Sequence, residues 1–175
     1  GTAVLFGRDT GNLPAQIENA AGGTFIVDGE GDFSQNFGGS TYRIDNAGTF
    51  IKRGAGTTTV VNSPISFNNT GSVVLEAGAL SLNTSGSLGG SFDLAGSNDL
   101  RLNNGTYTLQ PGVVLPVIRL SGAALSVAFD HEVPQLVIAG DSRITVAAGK
   151  SLTVTGLLDW SAGLIARDGR LIIAP

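Results

Sequence analysis

A short phrase returns along this chain: Asn19-Ala-Ala-Gly-Gly-Thr-Phe25, then Asn46-Ala-Gly-Thr-Phe50-Ile-Lys52, then Asn69-Thr-Gly-Ser-Val73-Val-Leu75. Each copy is an asparagine, a glycine-containing turn, and a Thr or Ser that opens an apolar strand. The strand residues Phe25, Phe50 and Val73 lie roughly 23 to 25 residues apart. Repetition at such a period is the signature of a solenoid, whose repeats bury their apolar faces only against one another.

The rest of the composition agrees with many short strands joined by tight turns. Of 175 residues, 42% are hydrophobic and 14% charged, enough apolar content for one continuous core. A single domain over 1–175 is expected. Glycine occurs 26 times and proline six, interleaved with Val, Leu, Ile, Thr and Phe, unlike a flexible linker. Ten Lys/Arg against fourteen Asp/Glu leave a net charge of −4 with no basic cluster, which argues against nucleic acid as a partner. No apolar run reaches the ~18 residues of a membrane-spanning helix, so no transmembrane segment is expected. The chain has no methionine, as expected of a processed product or a segment of something longer. It also has no cysteine, which is compatible with the cytosol but also common in long bacterial surface proteins stabilised by repetition rather than disulfides; an extracellular place is expected from composition and repeat type together.

Alternation of period two recurs throughout, whereas an i, i+3, i+4 pattern never persists, so the chain reads as all-β. Strands are predicted over, among others, Thr24 to Val27, Thr41 to Ile44, Thr49 to Lys52, Thr57 to Val61, Ser72 to Leu75, Ala79 to Leu82, Val117 to Leu120, Arg143 to Val146, Ser151 to Val154 and Arg170 to Ile173. A β-sandwich also has short strands at regular spacing, but its strands need not resemble one another. In a parallel β-solenoid (β-helix) each coil repeats the same corner, and stacked asparagines satisfy one another's amides. Coils of about 20 to 25 residues imply about seven to nine of them, a rod of roughly 35 to 45 Å at ~4.8 Å per coil. Phe25, Val27, Phe50, Val60, Val73, Leu75, Leu80, Leu82, Phe92 and Leu94 are expected inside, with Thr, Ser, Lys and Asp facing water.

Three stretches carry a resemblance to known proteins: Asn46-Ala-Gly-Thr-Phe-Ile-Lys-Arg-Gly-Ala-Gly-Thr-Thr-Thr-Val60, Phe67-Asn-Asn-Thr-Gly-Ser-Val-Val-Leu-Glu-Ala-Gly-Ala-Leu-Ser-Leu82 and Thr155-Gly-Leu-Leu-Asp-Trp160-Ser-Ala-Gly-Leu-Ile-Ala-Arg-Asp-Gly-Arg-Leu171. They resemble the degenerate Asn/Gly/Thr repeats of bacterial surface β-helices, the filamentous-haemagglutinin-like and autotransporter-passenger proteins. The resemblance implies an exported scaffold at the cell surface or outside the cell. Gln110 to Val137 departs from it with Pro111, Pro116 and Pro134, and an irregular coil or loop is expected there.

Residues that could carry chemistry are few. His131, in Asp130-His131-Glu132, is the only histidine, and a loop histidine is its simplest reading. Cysteine nucleophiles and cysteine metal sites are excluded, and there is no Gly-Lys-Ser/Thr phosphate loop. Polysaccharide-cleaving β-helices need acids or bases gathered on one face, but Asp28, Asp45, Glu76, Asp93 and Asp99 are scattered near turns, where carboxylates commonly cap backbone N–H groups. No catalytic residue is predicted, and the chain is read as a non-enzyme, with a carbohydrate-active enzyme as the remote alternative. Val27-Asp28-Gly29-Glu30-Gly31-Asp32-Phe33 places three acids at alternate positions, as calcium ligands often are; Asp28, Glu30 and Asp32 are thus a calcium candidate, against a solvated acidic turn. Trp160 is a candidate for glycan binding, against a core or capping tryptophan.

Both termini are apolar strands: Thr2-Ala3-Val4-Leu5-Phe6 opens the chain and Arg170-Leu171-Ile172-Ile173 lies near its close. Exposed strand edges pair readily, and a head-to-tail contact that does not close on itself builds a filament. Self-association through Ala3, Val4, Leu5, Phe6, Leu171, Ile172 and Ile173 is therefore expected in an extracellular structural protein. The alternative is an adhesin stalk or passenger segment recognising a glycan or surface receptor.

Overall fold

The computed structural model describes residues 4–6, 15–35, 42–96, 99–166 and 169–174. Those residues form twenty-one strands and no helix. In chain order they are β1 (Val4–Phe6), β2 (Gln16–Asn19), β3 (Thr24–Asp28), β4 (Phe33–Gln35), β5 (Tyr42–Asn46), β6 (Thr49–Arg53), β7 (Thr58–Asn62), β8 (Ile65–Asn69), β9 (Ser72–Leu75), β10 (Ala79–Asn83) and β11 (Gly86–Leu88). There follow β12 (Ser91–Leu94), β13 (Asp99–Asn103), β14 (Thr106–Leu109), β15 (Val117–Ser121), β16 (Ala124–Val127), β17 (His131–Ala139), β18 (Arg143–Val146), β19 (Ser151–Trp160), β20 (Leu164–Ile165) and β21 (Arg170–Ile173).

The strands wind into a parallel β-solenoid of about seven turns. Sheet A runs β1-β4-β7-β10-β13-β15-β17-β19-β21, sheet B runs β2-β5-β8-β11-β14-β16-β18-β20, and sheet C holds β3, β6, β9 and β12. The early coils are therefore three-sided. Beyond β12 the third side shrinks to a single bridge, Ser91 to Val114, and later coils have two strands each. The prolines mark this change. Val113 and Leu115 are buried around the isolated bridge, and Pro134 coincides with a register shift between Val133 and Gln135. The span 110–137 is otherwise regular, because β15, β16 and β17 keep their parallel partners through it.

Period-two alternation gives each strand one inward face, and the inward residues stack in files. Phe25, Phe50, Val73 and Phe92 form the file of sheet C; Phe33, Val61, Leu82, Leu102, Leu120 and Ile138 form one of sheet A. Phe50 meets Phe25 and Phe67 edge-on at centroid distances of 5.4 and 5.6 Å, the arrangement aromatic quadrupoles favour. In sheet B, Gly86 lies between Phe67 and Tyr107. It must be glycine, because a Cβ there would sit 1.8 Å from the Phe67 carbonyl oxygen. Tyr107 is wholly buried; its hydroxyl donates to the Leu82 carbonyl at 2.6 Å, and burial pushes its pKa well above the usual phenol value.

The repeated asparagine is the corner ladder foreseen from its sequence spacing. Asn19 Nδ2 donates to Asn46 Oδ1 at 2.6 Å, and Asn46 Nδ2 to Asn69 Oδ1 at 2.6 Å, all three being buried. Asn69 ends the ladder by donating to the Gly89 carbonyl at 2.6 Å, since its stacking partner on the next coil is Leu88. The rungs lie 27, then 23 residues apart, and the terminal bond spans 20, so the coils shorten along the stack.

Three expected orientations in this region are reversed, those of Thr59, Val60 and Lys52. Val60 faces outward and is half-buried, while its neighbours Thr59 and Val61 point in; β7 takes the register in which Val61 joins Phe33 and Leu82. Lys52 does not face water. It occupies an inward position between Val27 and Leu75 and is fully buried.

Candidate functional site

The Lys52 ammonium lies at the corner between sheets C and A, on the carbonyl of Arg53 and 2.8 Å from Thr57 Oγ1, which itself donates to the Gly54 carbonyl at 2.6 Å. Gly78 leaves the space for it, since a Cβ there would approach Nζ to 3.3 Å. The amine thus satisfies the Arg53 carbonyl directly and supports the Thr57 hydroxyl that satisfies the Gly54 carbonyl, as backbone groups of a part-buried turn require. Burial lowers its pKa below the ordinary lysine value, opposed by attraction to Asp28 and Glu30.

The consequence for stability has a definite sign. The unfolded amine holds its proton up to about pH 10.4, whereas the folded one releases it at lower pH. Between those values the unfolded chain binds more protons, so stability rises with pH across that window. Lys52→Met is expected to abolish this rise relative to wild type in urea titrations from pH 8 upward, read below pH 10 before Tyr107 ionises in the unfolded chain. A parallel rise in the variant would reject the assignment.

The structure does not gather Asp28, Glu30 and Asp32 around a point. Asp28 and Glu30 are exposed, and Asp32 accepts the backbone N–H of Val60 at 2.8 Å. Among the described residues no three His, Asp or Glu side chains form a group able to hold a metal ion. Of the other acids expected to cap turns, Asp45 and Asp99 are ion-paired on outward strand faces, with Arg43 and with both Arg101 and Arg119, and Glu76, in the turn after β9, is paired with Arg53.

His131 belongs to an inward register shared with Leu152. Its ring packs edge-on against Phe129 at 5.8 Å. Nε2 is buried without a hydrogen-bond partner, and burial lowers the imidazole pKa against the pull of Glu132. The adjacent Asp130 accepts both the N–H and the hydroxyl of Ser151, at 2.9 and 3.0 Å. These bonds, the hydroxyl's first, hold its carboxyl below the usual range. Ser151 is thus spent on Asp130, and among the described residues no serine hydroxyl bonds His131 Nε2.

Among the described residues the exposed large apolar side chains, apart from Ile26 and Val114, lie at the C-terminal end of the stack. Trp160 aligns with the inward Ile138 yet is 49% exposed, and Ile173 aligns with the inward Val154 yet is 59% exposed. Leu157, Leu164 and Ile172 are exposed at the same end, and Leu171 is half-buried. β21 pairs with Ser151–Val154 of β19; from Thr155 to Trp160 that strand has a neighbour on one side only among the described residues, namely β17. At the other end Val4, Leu5 and Phe6 form β1, the opposite edge strand of sheet A. Ala3 lies outside the described residues. The edge strands were legible from the terminal apolar runs, but the exposure of Leu157 and Leu164 was not, because it follows from where the coils stop covering one another.

Among the described residues no helix is long and apolar enough to cross a membrane. Comparison with known proteins gave no match to any family model, curated protein or solved structure.

Proposed function

We propose that this chain is a non-enzymatic, extracellular structural unit whose β-solenoid joins end to end with further copies into a surface fibre. The observation that carries this reading is the C-terminal end of the stack, where strand edges coincide with inward-register side chains, Trp160 and Ile173, left open to water. A further parallel coil would satisfy both the edge hydrogen bonds and the open apolar files. The edge β1 at the opposite end of sheet A is its natural counterpart, and such a heterologous contact propagates instead of closing. Leu171 and Ile172 join this contact with Ala3 to Phe6.

Electron microscopy of the tag-free chain, alongside its solution mass, tests this. Filaments with a regular axial repeat are expected, lost on deletion of residues 1 to 6 and shifted by Ile173→Lys to at least about tenfold higher protein concentration, as when a central apolar contact is removed. Monodisperse monomers would instead favour the second reading, a stalk segment of a surface adhesin whose open edges meet further coils of the same protein. The same apolar end supports that reading.

A further inference from the structure

The outward face of sheet A is recessed at β10. Ala79 and Ser81 point outward there, yet are only 6% and 5% exposed, because the flanking coils carry longer side chains. Thr58 pairs with Ala79 on one side, and Asp99 and Arg101 pair with Ala79 and Ser81 on the other. The resulting groove, about 350 Å³, lies at the Ala79 end of β10, between the turns around Gly56 and Gly78 and the Asp99 and Arg101 side chains. Two inter-strand spacings make it about 10 Å wide.

Its rim holds an unusual charge arrangement. Arg101 and Arg119 precede the paired Leu102 and Leu120, so they occupy equivalent positions on successive coils. Like charges stacked at this spacing repel, and a single carboxylate sits between them: Asp99 Oδ2 is 2.5 Å from Arg101 Nε and Oδ1 is 3.0 Å from Arg119 Nε. The trio keeps one excess positive charge in a chain of net charge −4. Both arginine side chains are substantially exposed, at 49% and 39%, and two guanidiniums offer more donors than one carboxylate can accept.

We infer that this groove binds an acidic glycan, with a uronate carboxylate on the Arg101–Arg119 pair and the sugar ring seated in the pocket at the Ala79 end of β10. The planar guanidinium fork matches a carboxylate. Behind the arginines Asn103 Nδ2 donates to Ser81 Oγ at 2.8 Å and Ser81 Oγ donates to Asn83 Oδ1 at 3.3 Å, so these polar groups are spent on one another and the arginines are left as the recognising groups. An acidic peptide fits less well: β10 is paired on both sides, by β7 and β13, so no free strand edge is offered for main-chain addition. The inference does not depend on fibre formation, because the groove lies on a lateral face.

Calorimetric titration with a defined oligogalacturonate tests it, with the methyl-esterified oligosaccharide and a poly-glutamate peptide as comparisons. Binding is expected for the uronate alone and should weaken with added salt. Arg101→Gln and Arg119→Gln should each weaken it at least about tenfold, the scale of a charge-assisted hydrogen bond. Arg101→Lys should fall between, and Arg170→Gln, far along the stack, should change nothing. Asp99→Asn should strengthen binding by removing the competing carboxylate. Melting curves matching wild type establish that the variants are folded, and Asp99→Asn keeps the test open if an arginine variant does not fold, since its expected effect is a gain. No binding at millimolar oligogalacturonate, equal binding of the methyl ester or of poly-glutamate, or indifference to both arginine substitutions would each overturn the proposal.

Discussion

Asn46→Ala should destabilise the fold by about 3 to 5 kcal/mol, lowering the melting temperature by ~10 °C in a circular-dichroism melt. The side chain is 2% exposed, accepts from Asn19 and donates to Asn69 and to the Ser72 carbonyl at 3.0 Å. Its removal strands a donor on one neighbour and an acceptor on the other, each costing about 1 to 3 kcal/mol when buried. A loss below about 1 kcal/mol would mean that water or a shifted rung replaces those bonds. The ladder also predicts non-additivity. The same file carries Leu88 and then Leu109 on later coils, so the corner accommodates leucine. The triple substitution of Asn19, Asn46 and Asn69 by Leu should therefore cost less than the sum of the three single changes, since no amide partner is left orphaned.

Phe50→Ala should cost about 3 to 5 kcal/mol, the range for emptying a buried aromatic site. Phe50 is fully buried between Phe25 and Phe67, and edge-on pairs add about 0.5 to 1.5 kcal/mol beyond area. Because coils contact only their neighbours, the damage should stay local. Hydrogen exchange should accelerate in β3, β6 and β9 while β15 to β19 keep their protection. Uniform acceleration along the chain would show that the stack unfolds as one unit.

Much of this architecture was legible because its information is local. The Asn-Gly-Thr phrase marks a corner at each recurrence, and the apolar residue after it falls into an inward file. What stayed hidden depends on register between coils. Val60 and Val61 are equivalent as a dipeptide, and only alignment with Phe33 and Leu82 sends Val61 inward. Lys52 reads as a surface residue until the turn carbonyls beneath it are placed. The strand Gly86–Leu88 has a glycine start that suggests a loop; its conformation follows from the Phe67 carbonyl pressed against it. The Asp99, Arg101 and Arg119 trio is invisible in sequence because its members come from two successive coils, while the neighbouring acids Asp28, Glu30 and Asp32, conspicuous in sequence, do not converge.

The passage from three-sided to two-sided coils has a mechanical consequence. In a parallel solenoid the hydrogen bonds between coils run along the rod, so a pull on its ends loads the coil boundaries in series and the weakest opens first. Between β13–β14 and β15–β16 the third sheet contributes nothing. Among the described residues sheet A pairs the two sides there at Leu102 with Leu120 and Asn103 with Ser121, sheet B at Thr106, Tyr107 and Thr108, and beside these registers lie only the Asn104–Ser121 and Ala124–Gly105 backbone bonds and the exposed Asp99–Arg119 ion pair. Under tension the molecule should part at this seam, near Pro116, into two shorter stacks that each keep their own internal pairing, and refasten there when the load is released.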